Sequence, residues 1–563
     1  MRKALRVFPR TYGFLAIALA PFAACRSVPA TVVHPRIPVA DSVSIAADVI
    51  LPVVVPQGGV PVVLIQTRYW RSFHIRGGSR KNVVPLGPRE AIVERLVAAG
   101  FGVVVTDVRG TGASDGLWPW PWSANEVRDM GPIIDWIVAQ RWSNGAVGAT
   151  GVSYEGTTAL LAATVARPAL RAILAREIEW ELVDEIIAPG GVRNVGFVNT
   201  WSRSVNALDH GKLPELFPPL ARFGIKGVHP TDGDSKANRL RVLQRARPTT
   251  NVAARIETVR SGGDRFGADG PVSDSLGPAG HTAHLAMTTA VVGMWGSWWD
   301  GATADAVLRA QQHMAIREAV IGPWSHEGDH NASPLRRDNS ERPTVDLDAV
   351  VGFFRRHLVA RDSAQAPRNS WYVAGSERWY SGAQWPSTRP RAWYLVDDRL
   401  TPNQSTGAPR SLSVDFSAST GKNTRWTTGL ARPVDAPNRE NAHGLASWRS
   451  TTLTEPLSVF GAAHFACTIT LEAPEAALHV YVESVDQRGR TRLLSEGVQR
   501  VQAGRVSVRI RPVAFELPVG WSLRLSVAGA DSPSFERVPH AGPQHIQFAG
   551  DGCALTLPVV VDK

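Results

Sequence analysis

Cysteine is nearly absent. The 563-residue chain holds three, and Cys25 lies near the N-terminus, so only Cys467 and Cys553 serve the body of the protein. That scarcity excludes a disulfide-built scaffold and leaves no cluster with zinc-ligand spacing. Long apolar runs are missing too: no segment approaches the ~20 consecutive apolar residues of a membrane-spanning helix. There is no dense Lys/Arg run and no repeat of solenoid or propeller period, which sets aside a nucleic-acid module and a repeat array. A net charge of +11 does not restore the first of these, because Arg2, Lys3, Arg6 and Arg10 supply four of the positives. About +7 is then left for the remaining chain, as expected of a mildly basic solvated surface.

The N-terminus reads as an export signal. A basic start precedes an apolar run from Phe14 to Ala20 and small residues through Ala23-Ala24-Cys25. Two processing routes stay open. Ala23-Ala24-Cys25 resembles a bacterial lipobox, with Phe22 in place of the usual Leu, and would leave Cys25 lipidated. Cleavage after Val28-Pro29-Ala30 would instead release an unmodified chain. The protein is expected to be exported, periplasmic or secreted, touching a membrane only through a lipid on Cys25. An oxidising compartment permits a Cys467–Cys553 disulfide; two separate buried thiols are the alternative.

The length implies two or three packed units, and 44% apolar with 20% charged residues suits a globular protein. After the leader (1–30), residues 31–177 alternate strand and helix. Val62–Ile65 and Gly102–Val105 are buried parallel-strand runs, Arg89–Ala99 and Asp129–Gln140 have helical spacing, and Ala146–Thr150 leads into Gly151-Val152-Ser153. That order predicts a doubly wound α/β sheet. Residues 178–285 lose the pattern and read as a mainly helical insertion with long loops. Residues 286–367 restore it, with strands at 290–293 and 319–322 around a helix over 302–314, then a helix over 352–358. Residues 368–563 are β-rich, with strand runs at 393–396, 477–482 and 522–527, which predicts a sandwich or jelly roll.

The chemistry centres on Gly151-Val152-Ser153-Tyr154-Glu155-Gly156. A strand entering a sharp turn and a helix lifts a serine hydroxyl above the sheet edge. The second glycine falls at Ser+3, with Glu155 at Ser+2. A serine needs a base, and the base needs an orienting carboxylate. In such sheets these follow in the order Ser, Asp/Glu, His, each after a later strand. Asp300, in Trp298-Trp299-Asp300-Gly301, and His326, in Gly322-Pro323-Trp324-Ser325-His326, occupy those places. Singly, a helix N-cap and a surface histidine would explain them; their order after consecutive strands favours catalysis. For the oxyanion the Tyr154 amide is one natural donor, and the Tyr69 phenol, in Thr67-Arg68-Tyr69-Trp70, is a second candidate against ordinary aromatic packing.

These segments resemble the cocaine esterase and X-Pro dipeptidyl-peptidase group of serine hydrolases. The resemblance covers nearly all of the mature chain and includes Asp107-Val108-Arg109-Gly110-Thr111-Gly112-Ala113-Ser114-Asp115-Gly116, the Ser-Tyr-x-Gly elbow, Trp299-Asp300-Gly301 and Gly322-Pro323-Trp324-Ser325-His326. Thr454-Glu455-Pro456-Leu457, Leu494-Ser495-Glu496-Gly497 and Leu523-Arg524-Leu525-Ser526 extend it into the last third. It implies an α/β-hydrolase core, a helical cap inserted after the nucleophile helix, and a C-terminal galactose-binding-like jelly roll. It further implies Ser153 as nucleophile, His326 as base and acid, Asp300 as its orienter, and Tyr69 and Tyr154 as the oxyanion hole, with no metal or cofactor.

Substrate is less legible. Amino-acid ester hydrolases of the group place carboxylates just after the catalytic aspartate, where this chain has Gly301-Ala302-Thr303. Glu177, Glu179, Glu181, Asp184 and Glu185 would offer an acidic patch, although a solvated helix face explains them more simply. Among Trp70, Trp201, Trp295, Trp298, Trp299 and Trp324, Trp70 and Trp201 are the candidate pocket residues. The expected partner is a small ester, or a short peptide or amide, with monomer and homodimer both open. The rival from another class is a glycan- or polymer-binding protein with a vestigial core, which an intact Ser, Asp and His argue against.

Overall fold

The computed structural model describes residues 30–561, except 78–84, 215–216, 218, 235–237, 329, 337–344, 361–365, 422–423 and 428–443. The expected leader and Cys25 lie outside the described residues. No helix among the described residues is long and apolar enough to cross a membrane.

The N-terminal two thirds of the chain is built on an eleven-stranded sheet. Its central strands run in the order Gly102–Asp107, Val60–Thr67, Ser143–Val152, Leu170–Arg176, Val291–Ser297, Glu318–Gly322, all parallel. Strands buried on both faces read as continuous apolar runs, as Val103, Val104 and Val105 do, with each of these three fully buried. Helix α1 (Glu90–Ala98) buries Ile92, Val93, Leu96 and Val97 against it. Helix α2 (Ala124–Val138) starts five residues before the expected position, because Ser123 caps it by accepting from the Glu126 amide. This is the doubly wound α/β-hydrolase core the sequence predicts.

Two edges were not foreseen. Ser44–Pro52 adds an antiparallel strand beside Gly102–Asp107. At the other edge Arg368–Val373 pairs parallel with Glu318–Gly322, and Arg378–Gly382 returns antiparallel to it. Residues 368–382, expected in the jelly roll, therefore extend the core sheet. The C-terminal β-domain begins at the Thr388–Val396 strand, which pairs with Ala554–Val560. Its sandwich includes the Leu457–Leu471 and Gly504–Leu517 pair, and Cys467 and Cys553 are joined there by a disulfide.

The insertion carries helix α4 (Val195–Asp209), capped by Asn194, and shorter helices over Asn238–Ala246 and Val252–Arg255. It also contributes a strand, Ile225–Val228, that pairs with Phe73–Ile75 in the loop after the Val60–Thr67 strand.

Candidate active site

One row of backbone hydrogen bonds runs along the C-terminal edge of the sheet and gathers the site. The Ser153 amide donates to the Arg176 carbonyl at 3.0 Å, Glu177 to Trp295 at 2.7 Å, and Trp298 to Gly322 at 3.0 Å. Four successive strands thus end together, and Ser153, Glu177, Asp300 and His326 follow those ends along one sheet edge. Ser153 sits at the elbow between its strand and α3 (Tyr154–Leu161) with φ 60° and ψ −126°, a conformation rare for a residue with a Cβ and retained only where packing enforces it. The enforcement is visible at Gly156, where a Cβ would stand 2.6 Å from Ile178 Cγ2 and 2.7 Å from the Arg176 carbonyl oxygen. The Ser153 hydroxyl is part-exposed and has no hydrogen-bond partner among the described residues.

Across the edge, His326 Nδ1 and Asp300 Oδ2 are 2.8 Å apart, with Asp300 2% exposed. A buried carboxylate on Nδ1 fixes the tautomer that presents Nε2 to a nucleophile. Glu177 adds a second carboxylate, its Oε2 3.9 Å from the same Nδ1. Glu177, Asp300 and His326 bring ligand atoms within 4.8 Å of one another, a spacing a divalent ion also accepts. The imidazole nitrogen in that group is the one bonded to Asp300. Burial, with Asp300 nearby, pushes the Glu179 carboxyl up to about 7 despite the favourable field of His326.

The oxyanion candidates meet on the other flank. Tyr154 opens α3, so its amide is among those a helix start leaves without an intrahelical acceptor. Its own phenol points away, donating to Glu126 Oε1 at 2.6 Å and accepting from Trp118 Nε1 at 3.0 Å. Burial pushes Glu126 up to about 8. The Tyr69 ring lies 6.0 Å from that of Tyr154, edge-on. Tyr69 Oη accepts from Trp201 Nε1 at 2.8 Å, which leaves its proton free to point elsewhere. Burial holds this phenol protonated, well above its ordinary value.

The pocket expectations divide. Trp201 is part-buried, on α4, against Tyr69. Trp70 is fully buried, packs edge-on against Phe73 and donates Nε1 to the Leu208 carbonyl. It therefore presents no face to a substrate, and its assignment as a pocket residue is corrected. Trp298 and Trp299 are also interior, tied to the Tyr372 and Leu494 carbonyls.

The acidic run is not a solvated helix face. Glu177, Glu179 and Glu185 are buried, and Glu181, Asp184 and Glu185 surround the Arg309 guanidinium. Sequence reasoning also missed the brace under the loop that carries Tyr69. Glu155 Oε1 pairs with Arg89 Nη1 at 2.5 Å, and Arg89 Nη2 donates to the Trp70 carbonyl at 2.5 Å. The unusual acid at Ser+2 was its one signal. The Asp107–Gly116 motif proves to be a structural tie: Asp107 accepts from the Arg71 amide and guanidinium and from the Ala113 amide. A Cβ on Gly112 would collide with that carboxylate at 2.1 Å.

Comparison with known proteins agrees with this architecture. Residues 41–328 match the X-Pro dipeptidyl-peptidase (S15 family) model, and residues 362–556 match the X-Pro dipeptidyl-peptidase C-terminal non-catalytic domain. A Mycobacterium bovis protein provisionally named a serine esterase is 28% identical over 575 residues, covering 89% of this chain and 91% of that one. Cocaine esterase of Rhodococcus sp. is 24% identical over 567 residues, covering 90% and 92%. Among solved structures, an aminopeptidase from a marine sediment archaeon of the Thaumarchaeota superposes with a TM-score of 0.72 at 18% identity, covering 94% of this chain and 97% of that one. With a family model spanning more than half of its length and the same layered fold, the chain belongs to the X-Pro dipeptidyl-peptidase (S15) family of hydrolases.

Proposed function

We propose that the protein is a serine carboxylesterase acting through an acyl-enzyme on Ser153. The observation that carries this reading is the His326–Asp300 hydrogen bond at 2.8 Å, made by a buried aspartate on the same sheet edge as the strained Ser153 elbow. His326 takes the Ser153 proton as the oxygen attacks the ester carbonyl. The developing oxyanion is stabilised by the Tyr154 amide and the Tyr69 hydroxyl. His326⁺, held by Asp300, then gives the proton to the leaving alkoxide, and water repeats the sequence in reverse to release the acid. Serine–histidine contacts are often long before substrate binds, in keeping with the unpartnered Ser153 hydroxyl.

A second reading, cleavage of a dipeptidyl amide, is favoured by Glu177 and Glu179, carboxylates buried at the site that would suit a substrate ammonium group. The experiment compares a short-chain p-nitrophenyl ester with an X-Pro p-nitroanilide, using the Ser153→Ala variant as control. Ester turnover lost in the variant, with the anilide untouched, supports the esterase; preferential anilide cleavage moves the assignment to the peptidase. We also propose that the protein works outside the cytoplasm, a reading the Cys467–Cys553 disulfide supports. Recovery in the cytosolic fraction with free thiols would contradict it.

A further inference from the structure

The aspartate that orients the histidine is not held by the hydrolase core alone. Asp300 lies on a turn after the Val291–Ser297 strand, and both flanks of that turn are fastened to one residue of the C-terminal half. The Gly301 amide donates to the Arg425 carbonyl at 2.9 Å, and Arg425 Nη2 donates to the Trp298 carbonyl. Arg425 is 3% exposed and opens a single 3-10 turn, Arg425–Thr427. Its guanidinium faces Glu496, whose Oε1 is 3.9 Å from Nε, and also feels the fields of Asp305 and Asp300. Between the two clamped positions, Trp299 Nε1 donates to the Leu494 carbonyl at 3.0 Å.

The next residue of the same turn reaches the other flank of the site. The Trp426 carbonyl accepts from Asn194 Nδ2 at 2.9 Å. Asn194 Oδ1 caps α4 by accepting from the Phe197 amide at 3.3 Å. Helix α4 carries Trp201, whose indole holds the Tyr69 hydroxyl. One short turn thus grips the Asp300 segment directly and the oxyanion tyrosine through one helix.

We infer that Arg425 and Trp426 form a positioning element for catalysis: Arg425 sets the Asp300 turn, and Trp426, through Asn194 and α4, sets Trp201 against Tyr69. The inference rests on the roles given above to Asp300 and Tyr69. A guanidinium is stripped of water only where its fork meets fixed acceptors, which a lysine ammonium on a shorter, single-point contact does not reproduce. Displacement of an orienting group by about 1 Å can cost roughly 100-fold in rate. A role in stability alone would lower the melting temperature and leave kcat of the folded molecules unchanged.

The test uses the full chain with Arg425→Ala and Arg425→Lys, reading kcat and KM on a p-nitrophenyl ester, thermal unfolding, and amide exchange across 297–303. Arg425→Ala is expected to lower kcat by roughly 10- to 100-fold with KM nearly unchanged and with faster exchange in that segment; Arg425→Lys recovers part of the rate. If Arg425→Ala does not fold, Arg425→Met combined with Glu496→Gln removes both buried charges together and decides the question. A folded variant with wild-type kcat and wild-type exchange overturns the inference. If wild-type protein shows no esterase activity, the functional reading fails, while the exchange measurement still tests the tie between the two domains.

Discussion

Replacing Tyr69 with phenylalanine deletes one oxygen and keeps the ring, so the edge-on contact with Tyr154 at 6.0 Å survives. Two hydrogen bonds are affected. The Trp201 indole loses its acceptor at 2.8 Å, a loss of about 0.5–1.5 kcal/mol in folding stability. The oxyanion loses its phenolic donor, which costs about 2.7–4 kcal/mol of transition-state stabilisation, or roughly 100- to 1,000-fold in kcat. Because the donor acts on charge that appears only in the transition state, KM is expected to change little. Burial keeps the phenol protonated, so the deficit is the same at every pH in the neutral range. Steady-state hydrolysis of a p-nitrophenyl ester at several pH values provides the assay. Trp201→Phe, which leaves the hydroxyl in place, serves as the comparison and is expected to lose much less. A Tyr69→Phe enzyme with kcat within a few-fold of wild type, or with a rise in KM alone, would refute the assignment of Tyr69 to the oxyanion.

Asp300→Asn retains the shape of the turn but presents the wrong hydrogen-bond partner to His326 Nδ1; kcat should fall by roughly 10⁴, and a loss below tenfold would remove Asp300 from the mechanism. The Cys467–Cys553 bridge spans a sequence separation of 86. Its replacement by two alanines is expected to cost about 2–4 kcal/mol in chemical denaturation, and an unchanged midpoint would show that the bridge adds no stability. Asp48 is fully buried; burial alone would raise its carboxyl, but Arg71 and His34 outweigh this and hold it at about 2. A carboxyl depressed from 3.8 to about 2 contributes stability that is present above the unfolded value and lost as pH falls through the folded one. That contribution is about 2 kcal/mol, disappearing between about pH 4 and pH 2. The acid limb of the stability curve should be shallower in Asp48→Asn, and parallel curves would refute this.

The layered fold was legible because its parallel strands are buried on both faces and its helices carry one apolar stripe. Val103–Val105 and Ile92, Leu96 and Val97 show both patterns without help from tertiary structure. Local pattern failed where a distant partner decides the outcome. Ser44–Pro52 hides its strand because Asp48 sits mid-run, and it is Arg71 and His34 that make that acid an interior residue. Leu170–Arg176, rich in alanine and leucine, has no local feature that separates a strand from a helix. The alternation Glu177-Ile178-Glu179-Trp180-Glu181 suggests an exposed amphipathic face. The chain instead leaves the sheet with Glu177 at φ 51°, which turns acids inward toward His326 and Arg309.

At the site, the positions of Ser153, Asp300 and His326 relative to successive strands follow from chain order, because each lies within four residues of a strand end. Their supports do not follow from it. Arg89 lies 66 positions from Glu155, and Arg425 reaches the Trp298 carbonyl from 127 positions away. No periodicity encodes such pairs. Trp70 and Trp201 are indistinguishable as tryptophans near motifs; one is fully buried and bonds the distant Leu208 carbonyl, and the other is part-buried and bonds the distant Tyr69 hydroxyl.

The central claim is that Ser153 is an activated nucleophile. Reaction of the purified protein with a fluorophosphonate, followed by mass mapping of the adduct, tests it most directly, because only a serine with a working base and oxyanion site is phosphonylated quickly. The account predicts a single adduct on the peptide containing Ser153, abolished by Ser153→Ala and slowed severalfold or more by His326→Ala. Modification at another residue, or ester hydrolysis that persists in Ser153→Ala, would contradict it.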